Sequence, residues 1–420
     1  MRLPTLDDVP ADLAGRRVLV RVDLNVPMED GRVTDTTRLA AARATLLELA
    51  DRGATVLVLS HFGRPKGGPD PAFSLAPVVP ALAAVLGRPV GFLADCVGED
   101  VQREVAKLAP GSITVLENTR FHSGEEANDP AFVARLAALG DLFVNDAFSA
   151  AHRAHASTEG LARFLPAVAG RALEREIRAL DAVLGTPRRP VLAVVGGAKV
   201  STKIAVLENL ARRVDHLAIG GGMANSFLAA RGLPVGRSLH EAHQLEAVRR
   251  IEAAAEAAGC TVHLPADVVV AREFREHADH RIVHVPHVEP DEMILDVGPL
   301  SLEALEGVVD GCATLVWNGP LGAFELPPFD TATLAFARHA AVRTAQGRLV
   351  SVAGGGDTVA ALNAAGVADR FTLVSTAGGA FLEWMEGRPL PGVEVLRRRP
   401  DEEGAADARD RDRPPDPGGL

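Results

Sequence analysis

Val191-Leu-Ala-Val-Val-Gly-Gly-Ala-Lys-Val-Ser-Thr-Lys203 reads as a buried strand, a tight turn and the opening of a helix. Val191 to Val195 forms the apolar run, Gly196-Gly197 the turn, and Val200, Ile204, Leu207 and Ala211 the apolar stripe of the helix that follows. Lys199 and Lys203 are expected to flank that stripe on one face, one helical turn apart. The chain has only four lysines (Lys66, Lys107, Lys199 and Lys203) against forty arginines, so arginine does the routine surface work. A lysine in such a chain suits a site wanting a compact, mobile point charge. Like charges at i, i+4 cost an isolated helix about 0.2–0.5 kcal/mol, so a nearby anion explains the pair better than helix stability does. A solvated surface pair is the plainer alternative.

Outward from this stretch, strands alternate with helical segments through the whole chain, the pattern of open parallel α/β sheets. In the first half, strands near Val18–Val22, Thr55–Leu59, Ile113–Leu116 and Leu142–Val144 run into polar and cationic ends. In the second half, strands near 191, 216, 293, 314, 350 and 373 run into glycine-rich ends. Ligands of such sheets bind beyond the carboxyl ends of the strands, so the halves present two chemically different mouths. One suits a small anion, the other a nucleotide. Leu173, Ile177, Leu180 and Leu184 repeat with helical spacing between them, and Gly185, Pro187 and Pro190 end the pattern, giving a hinge helix or an ordinary crossover helix.

The expected fold is therefore α/β, with two Rossmann-like parallel-sheet domains joined by that helix. The boundaries are 1–170 for an anion-binding domain, 171–190 for the linker and 191–375 for a nucleotide-binding domain, with 397–420 a disordered tail rich in Arg, Asp, Pro and Gly. The chain of 420 residues is 47% hydrophobic, enough for two cores. A net charge of −11 gives no support to a nucleic-acid or membrane-surface role, so any anion site is local. Cys96, Cys260 and Cys312 lie far apart without metal-knuckle or disulfide spacing, which fits a reducing compartment. Neither a signal peptide nor a transmembrane run of about 18 apolar residues is legible, and a cytoplasmic location is expected.

Val352-Ala-Gly-Gly-Gly-Asp-Thr-Val-Ala360 is the sharpest single motif. Three glycines, Gly354, Gly355 and Gly356, let phosphate oxygens approach the main chain, and the helix opening at Asp357-Thr358 adds its positive end. Asp357 is either a plain helix cap or a ligand for Mg²⁺ carried in by a nucleotide. P-loop, Rossmann dehydrogenase and protein-kinase signatures are missing. In the first half, Arg21, Arg38, Arg64, Arg120 and Arg153 lie at strand ends or helix starts, with His61, His152 and His155 beside them. Arg38 opens a helix, where a cation opposes the macrodipole, so it is expected to answer an external anion. His277, His280, His284 and His287 read as a solvated helix-to-strand face.

Seven motifs stand in one order: Arg21-Val-Asp-Leu-Asn-Val-Pro27, Ser60-His-Phe-Gly-Arg-Pro-Lys-Gly67, Leu116-Glu-Asn-Thr-Arg-Phe121, His152-Arg-Ala-His155, Gly196-Gly-Ala-Lys-Val-Ser-Thr-Lys203, Trp317-Asn-Gly-Pro-Leu-Gly-Ala-Phe-Glu325 and Gly354-Gly-Gly-Asp-Thr358. With these, nearly the whole chain resembles phosphoglycerate kinase, which implies two Rossmann-like parallel-sheet domains joined by a hinge helix at 171–190 and a C-terminal segment, 376–396, that returns toward the N-terminal domain. The resemblance implies reversible phosphoryl transfer between MgATP and the carboxylate of 3-phosphoglycerate, in glycolysis or gluconeogenesis, by a monomer that binds neither nucleic acid nor membrane. It places the glycerate on Asp23, Asn25, Arg38, His61, Arg64, Arg120 and Arg153, and the nucleotide on Gly197, Lys203, Gly221, Asn318, Glu325, Gly354, Gly355, Gly356, Asp357 and Thr358. Arg38, Lys199 and Gly355 are the catalytic candidates and Asp357 the Mg²⁺ ligand. Ser149-Ala150, Phe62, Ala377 and Phe381 depart from the residues usual in that family. The chemistry agrees, because an acceptor carboxylate is already ionised at neutral pH and needs no general base. Closure of the two mouths on each other is expected, to exclude water from an acyl phosphate. A nucleotide sensor is the rival reading, and it would lack the cationic mouth or Lys199.

Overall fold

The computed structural model describes residues 3–66 and 68–397. Gly67 of the Ser60–Gly67 motif and residues 398–420 of the expected tail lie outside the described residues, while Arg397 ends a helix, Pro391–Arg397. The chain divides into two compact units, Met1–Arg175 with the residues from Pro389 onward, and Glu176–Arg388. The division falls inside the helix Arg171–Leu180.

The first unit is built on a six-stranded parallel sheet whose spatial order is Gly91–Leu93, Ile113–Leu116, Thr55–Leu59, Arg17–Arg21, Leu142–Asn145, Ala167–Ala169. Alternate side chains of one strand face opposite ways, and both faces of the central strands are covered, so these carry consecutive apolar residues, Val18–Val20 and Val56–Leu59. Val18, Val20, Val56 and Val58 share a core with Leu39, Leu46 and Leu49 of the helix Thr37–Asp51. Leu19, Leu57 and Phe143 pack on the other side with Val101, Phe132, Leu136 and Leu161. The C-terminal helix belongs to this unit: Gly392 N–H donates to the Ala151 carbonyl at 2.9 Å, and Asn145 Nδ2 donates to the Gly392 carbonyl at 3.0 Å.

The second unit carries a six-stranded parallel sheet in the order Thr261–His263, His216–Ile219, Val191–Val195, Thr314–Asn318, Val350–Gly354, Leu373–Ser375. A separate antiparallel sheet joins His280–His284, Asp267–Ala271 and Met293–Val297. The strand near 293, read from sequence as part of the parallel series, therefore sits elsewhere. It is followed by the helix Pro299–Gly311 and then by Thr314–Asn318, an alternation that does not say which sheet the first strand joins. The segment around the four histidines is partly an antiparallel strand, with His280 and His284 exposed at its two ends. Trp317 fills the centre of the second core, its ring edge-on to Phe336 at 5.1 Å and its Nε1 donating to the Gly319 carbonyl at 2.7 Å.

The stripe Leu173, Ile177, Leu180 and Leu184 is buried throughout, continuing from the helix Arg171–Leu180 into a π turn over Asp181–Gly185. A remote side chain starts that helix: Asp146 Oδ1 accepts the Ala172 and Leu173 amides at 2.8 and 3.2 Å. Arg171 holds Glu48 with two parallel bonds of 2.7 and 2.8 Å. Among the described residues, no helix is long and apolar enough to cross a membrane.

Candidate active site

In the first unit the strand order reverses between Arg17–Arg21 and Leu142–Asn145, and a cationic mouth lies at that switch point. Arg21 is buried under it. Its Nε donates to Ser157 Oγ at 3.0 Å, one terminal nitrogen donates to the Val22 carbonyl, and the other to His61 Nδ1 at 2.8 Å. Guanidinium only donates, so His61 Nδ1 is an acceptor and the ring proton resides on Nε2. Burial, then the charges of Arg21, Arg120, Arg153 and His155, hold the His61 pKa well below its ordinary value. His61 is a neutral donor among cations. His155 is brought down to about 4, first by burial and then by Arg120 and Arg153.

Arg38 is the second residue of its helix, as expected, but its charge is answered from within the protein. Asp23 Oδ2 lies 3.2 Å from it, and the Asn25 carbonyl accepts from it at 2.6 Å. Asp23 in turn accepts from Ser149 Oγ at 2.6 Å and from the Asn25 amide at 3.0 Å. The loop at Gly63 ties further members together: its amide donates to Asn25 Oδ1 at 2.8 Å and its carbonyl accepts from Arg120 at 2.7 Å. Arg120 is lowered by burial and by the neighbouring charges of Arg153 and Arg64, with Glu126 opposing. Arg153 Nε donates to His152 Nε2 at 3.1 Å, and Arg64 is exposed beside a cavity of about 520 Å³. All seven predicted residues thus gather at one mouth. Nearby, Asp95, Cys96 and His122 approach one another, but Asp95 Oδ1 is already engaged by His122 Nε2 at 2.7 Å and the Cys96 amide at 2.6 Å, and burial raises the Cys96 thiol.

In the second unit the switch point lies between Val191–Val195 and Thr314–Asn318. The two strand ends approach so closely that a Cβ on Gly196 would stand 1.9 Å from the Pro320 carbonyl oxygen, so only glycine fits. A cavity of about 610 Å³ opens above, lined by Gly197, Gly221, Glu325 and Asp357 among the predicted residues. Phe274, Leu239, Arg237 and Met293 also line it and went unread in the sequence, because they come from the loops and antiparallel strands that carry no motif.

Gly354, Gly355, Gly356, Lys203, Asn318 and Thr358 do not line the cavity, and the last three lie beneath its floor. Asn318 is buried, its Nδ2 donating to the Gly354 carbonyl at 2.7 Å and its Oδ1 accepting from Lys203 Nζ at 2.5 Å. Lys203 Nζ also donates to the Gly196 carbonyl at 2.7 Å. Thr358 Oγ1 accepts the Gly319 amide at 2.7 Å. Together they knit the three glycine-rich strand ends into one platform. Burial brings the Lys203 ammonium down to about 8, with Asp357 opposing. Gly355 caps the helix Gly356–Ala364 at a φ of +95°, and Asp357 is exposed in its first turn. The Phe381 ring lies against Gly354, where a Cβ would come within 2.5 Å of it.

The expectation that Lys199 and Lys203 share a helix face is corrected. Val200–Thr202 is a 3₁₀ turn, the α-helix begins only at Ile204, and Lys199 has extended backbone. Lys199 is exposed while Lys203 turns under the platform, so the i, i+4 repulsion argument does not apply.

Residues 6–388 match the phosphoglycerate kinase sequence profile. The chain belongs to the phosphoglycerate kinase family. The phosphoglycerate kinase of Sphingopyxis alaskensis is 65% identical over 393 residues, covering 94% of this chain and 98% of that protein. That of Zymomonas mobilis is 62% identical over 396 residues, covering 94% and 100%. The solved structure of phosphoglycerate kinase from Coxiella burnetii aligns with a TM-score of 0.88 at 40% identity, over 94% of this chain and 99% of that one. Phosphoglycerate kinase from Pyrococcus horikoshii aligns with a TM-score of 0.77 at 28% identity, over 94% and 98%. As a phosphoglycerate kinase, the chain is a phosphotransferase with a carboxyl group as acceptor, acting between ATP and 3-phosphoglycerate in glycolysis.

Proposed function

We propose that the first unit's mouth takes 3-phosphoglycerate and the second unit's cavity takes MgATP. The observation that carries this reading is the contrast between two switch points, one ringed by Arg38, Arg64, Arg120 and Arg153, the other floored by glycine backbone under an apolar cavity. Asp23, Asn25 and His61 supply the remaining polar contacts to the glycerate. Asp23 and the Asn25 carbonyl hold Arg38 in place for the acceptor carboxylate. On the nucleotide side, Gly197 and Gly221 line the slot for the base, Glu325 accepts from ribose hydroxyls, and the amides from Gly354 to Asp357 receive phosphate oxygens at a helix N-terminus.

Lys203, Asn318 and Thr358 serve that site by holding its floor. Lys199, exposed on extended backbone, is free to follow the phosphoryl group. Asp357, an exposed carboxylate at the cavity with no side-chain hydrogen bond or ion pair among the described residues, fits the hard cation that accompanies the nucleotide. That cation would supply charge neutralisation at the phosphates. Catalysis is then positioning and electrostatic stabilisation, with no proton to remove from the acceptor. A monomeric cytoplasmic enzyme fits these small-molecule substrates. The test is a coupled assay with MgATP, with 3-phosphoglycerate as acceptor and with glycerate in its place. Turnover only with 3-phosphoglycerate is expected, and no turnover with either would leave a nucleotide sensor.

A further inference from the structure

Four side chains form a directed chain beneath the cationic mouth. Glu125 Oε1 accepts from Ser157 Oγ at 2.5 Å, and Glu125 Oε2 accepts the Ser157 amide at 3.1 Å. Ser157 Oγ accepts from Arg21 Nε at 3.0 Å, and Arg21 donates onward to His61 Nδ1 at 2.8 Å. Glu125, Ser157 and Arg21 are all at most 1% exposed. A hydroxyl has one proton, and here it goes to the carboxylate, which leaves a lone pair for the guanidinium. The two Ser157 bonds are thereby directed, and the Arg21–His61 bond is directed by the guanidinium itself, which only donates, so Glu125 and Ser157 act by placing Arg21.

We propose that Glu125 and Ser157 are positioning residues which, through Arg21, hold His61 as the neutral Nε2–H tautomer. Arg21 is a fully buried cation faced by Glu125, Asp23, Arg120 and Arg153; burial pushes the Glu125 carboxyl up, while Arg21, the two Ser157 bonds and Arg120 pull it back toward the charged form that balances Arg21. His61 is faced by Arg21, Arg120, Arg153 and His155, all of which oppose a charge on its ring. A protonated His61 would carry hydrogen on Nδ1, which Arg21 would then meet donor to donor. The chain therefore keeps one neutral donor in a ring of cations, and its hydrogen-bond direction does not change as pH passes the ordinary histidine range. The kinetic consequence rests on the reading of this mouth as the 3-phosphoglycerate site. The tautomer itself does not.

The test is ¹⁵N correlation spectroscopy of the histidine-labelled full chain without substrate, joined to steady-state kinetics. In the wild-type protein His61 is expected to show an unprotonated Nδ1 and a protonated Nε2, unchanged from pH 5.5 to 8. Ser157→Ala is expected to give mixed tautomers and to raise KM for 3-phosphoglycerate by about fivefold, the scale of one lost hydrogen bond, with KM for MgATP unchanged. Ser157→Thr, which keeps the hydroxyl, is expected to restore both. Glu125→Gln provides a second variant, able to accept from Ser157 but not to balance Arg21, and mixed tautomers are expected there also. A protonated Nδ1 in the wild type, or a wild-type His61 signature in either Ser157→Ala or Glu125→Gln, overturns the proposal. Mixed tautomers with unchanged KM leave the chain of bonds standing and instead remove His61 from the 3-phosphoglycerate site.

Discussion

Lys199 and Arg38 carry their charges on different kinds of support. Arg38 is held on a helix by Asp23 and the Asn25 carbonyl, so its fork is aimed before any substrate arrives. Arg38→Lys replaces that fork with one point charge, and a loss of roughly 2–4 kcal/mol of transition-state stabilisation is expected, read as a fall of about 30- to 800-fold in kcat. Near-full kcat in the variant would remove Arg38 from the reaction. Lys199 lies on extended backbone and is exposed, so its removal disturbs no packing. Lys199→Ala is expected to lower kcat by roughly 10²–10³-fold while nucleotide affinity, measured by calorimetry, stays within a few-fold. Parallel losses in both would show that it binds the ground state. The residue types at both mouths were legible in the sequence, because motif spacing reports which atoms reach a strand end. That Lys203 and Asn318 knit the floor from beneath was not, since it depends on where loops distant in sequence meet.

The helix Arg171–Leu180 takes its first amides from Asp146, a residue of another strand end. Burial raises the Asp146 pKa from 3.8 to about 7, against the opposing pull of its hydrogen bonds to Thr45, Leu173 and Ala172. The folded value lies above the unfolded one, so the carboxyl's contribution to stability is full below about pH 4 and is lost as pH rises to about 7. Asp146→Asn keeps an oxygen for the amides and has no charge to bury. Urea midpoints should therefore fall less between pH 5 and pH 8 in Asp146→Asn than in the wild type. The slope is reduced and not abolished, because Asp296 is raised to about 7 by burial as well. Equal slopes would mean that Asp146 is not the titrating group. The helical stripe was readable from spacing, but its cap was not, because Asp146 lies 25 residues before the first helical position in a segment that reads as strand end.

The C-terminal helix Pro391–Arg397 completes the first unit, burying Leu390, Val393, Val395 and Leu396 there. Removing residues 389–420 should cost the first unit several kcal/mol, at roughly 1.5–3 kcal/mol for each buried aliphatic side chain as an upper estimate. Truncation after Arg397 should leave the thermal midpoint unchanged. Equal effects of the two truncations would show that the helix contributes nothing. For the same reason a 1–170 fragment should bind 3-phosphoglycerate less well than the same fragment supplied with the 389–397 peptide. In-line transfer needs the reacting atoms within about 3–3.5 Å, and each mouth belongs to its own unit. Small-angle scattering should give a smaller radius of gyration with both substrates than with either alone, and an unchanged value would exclude closure as the means of assembly.

By itself the sequence determined the α/β class, the strands Thr55–Leu59 and Ile113–Leu116 to the residue, and the chemical character of the two mouths. Apolar runs, glycine turns and helical spacing are local consequences of backbone geometry, so they are visible without a fold. Tertiary structure alone decided that Met293–Val297 joins an antiparallel sheet, that Lys199 and Lys203 part company, and that Glu125, Ser157 and Arg21 align under His61. Those outcomes depend on which segments meet across long stretches of chain, and on which polar groups burial forces to find partners. Neither is written in the spacing of neighbouring residues.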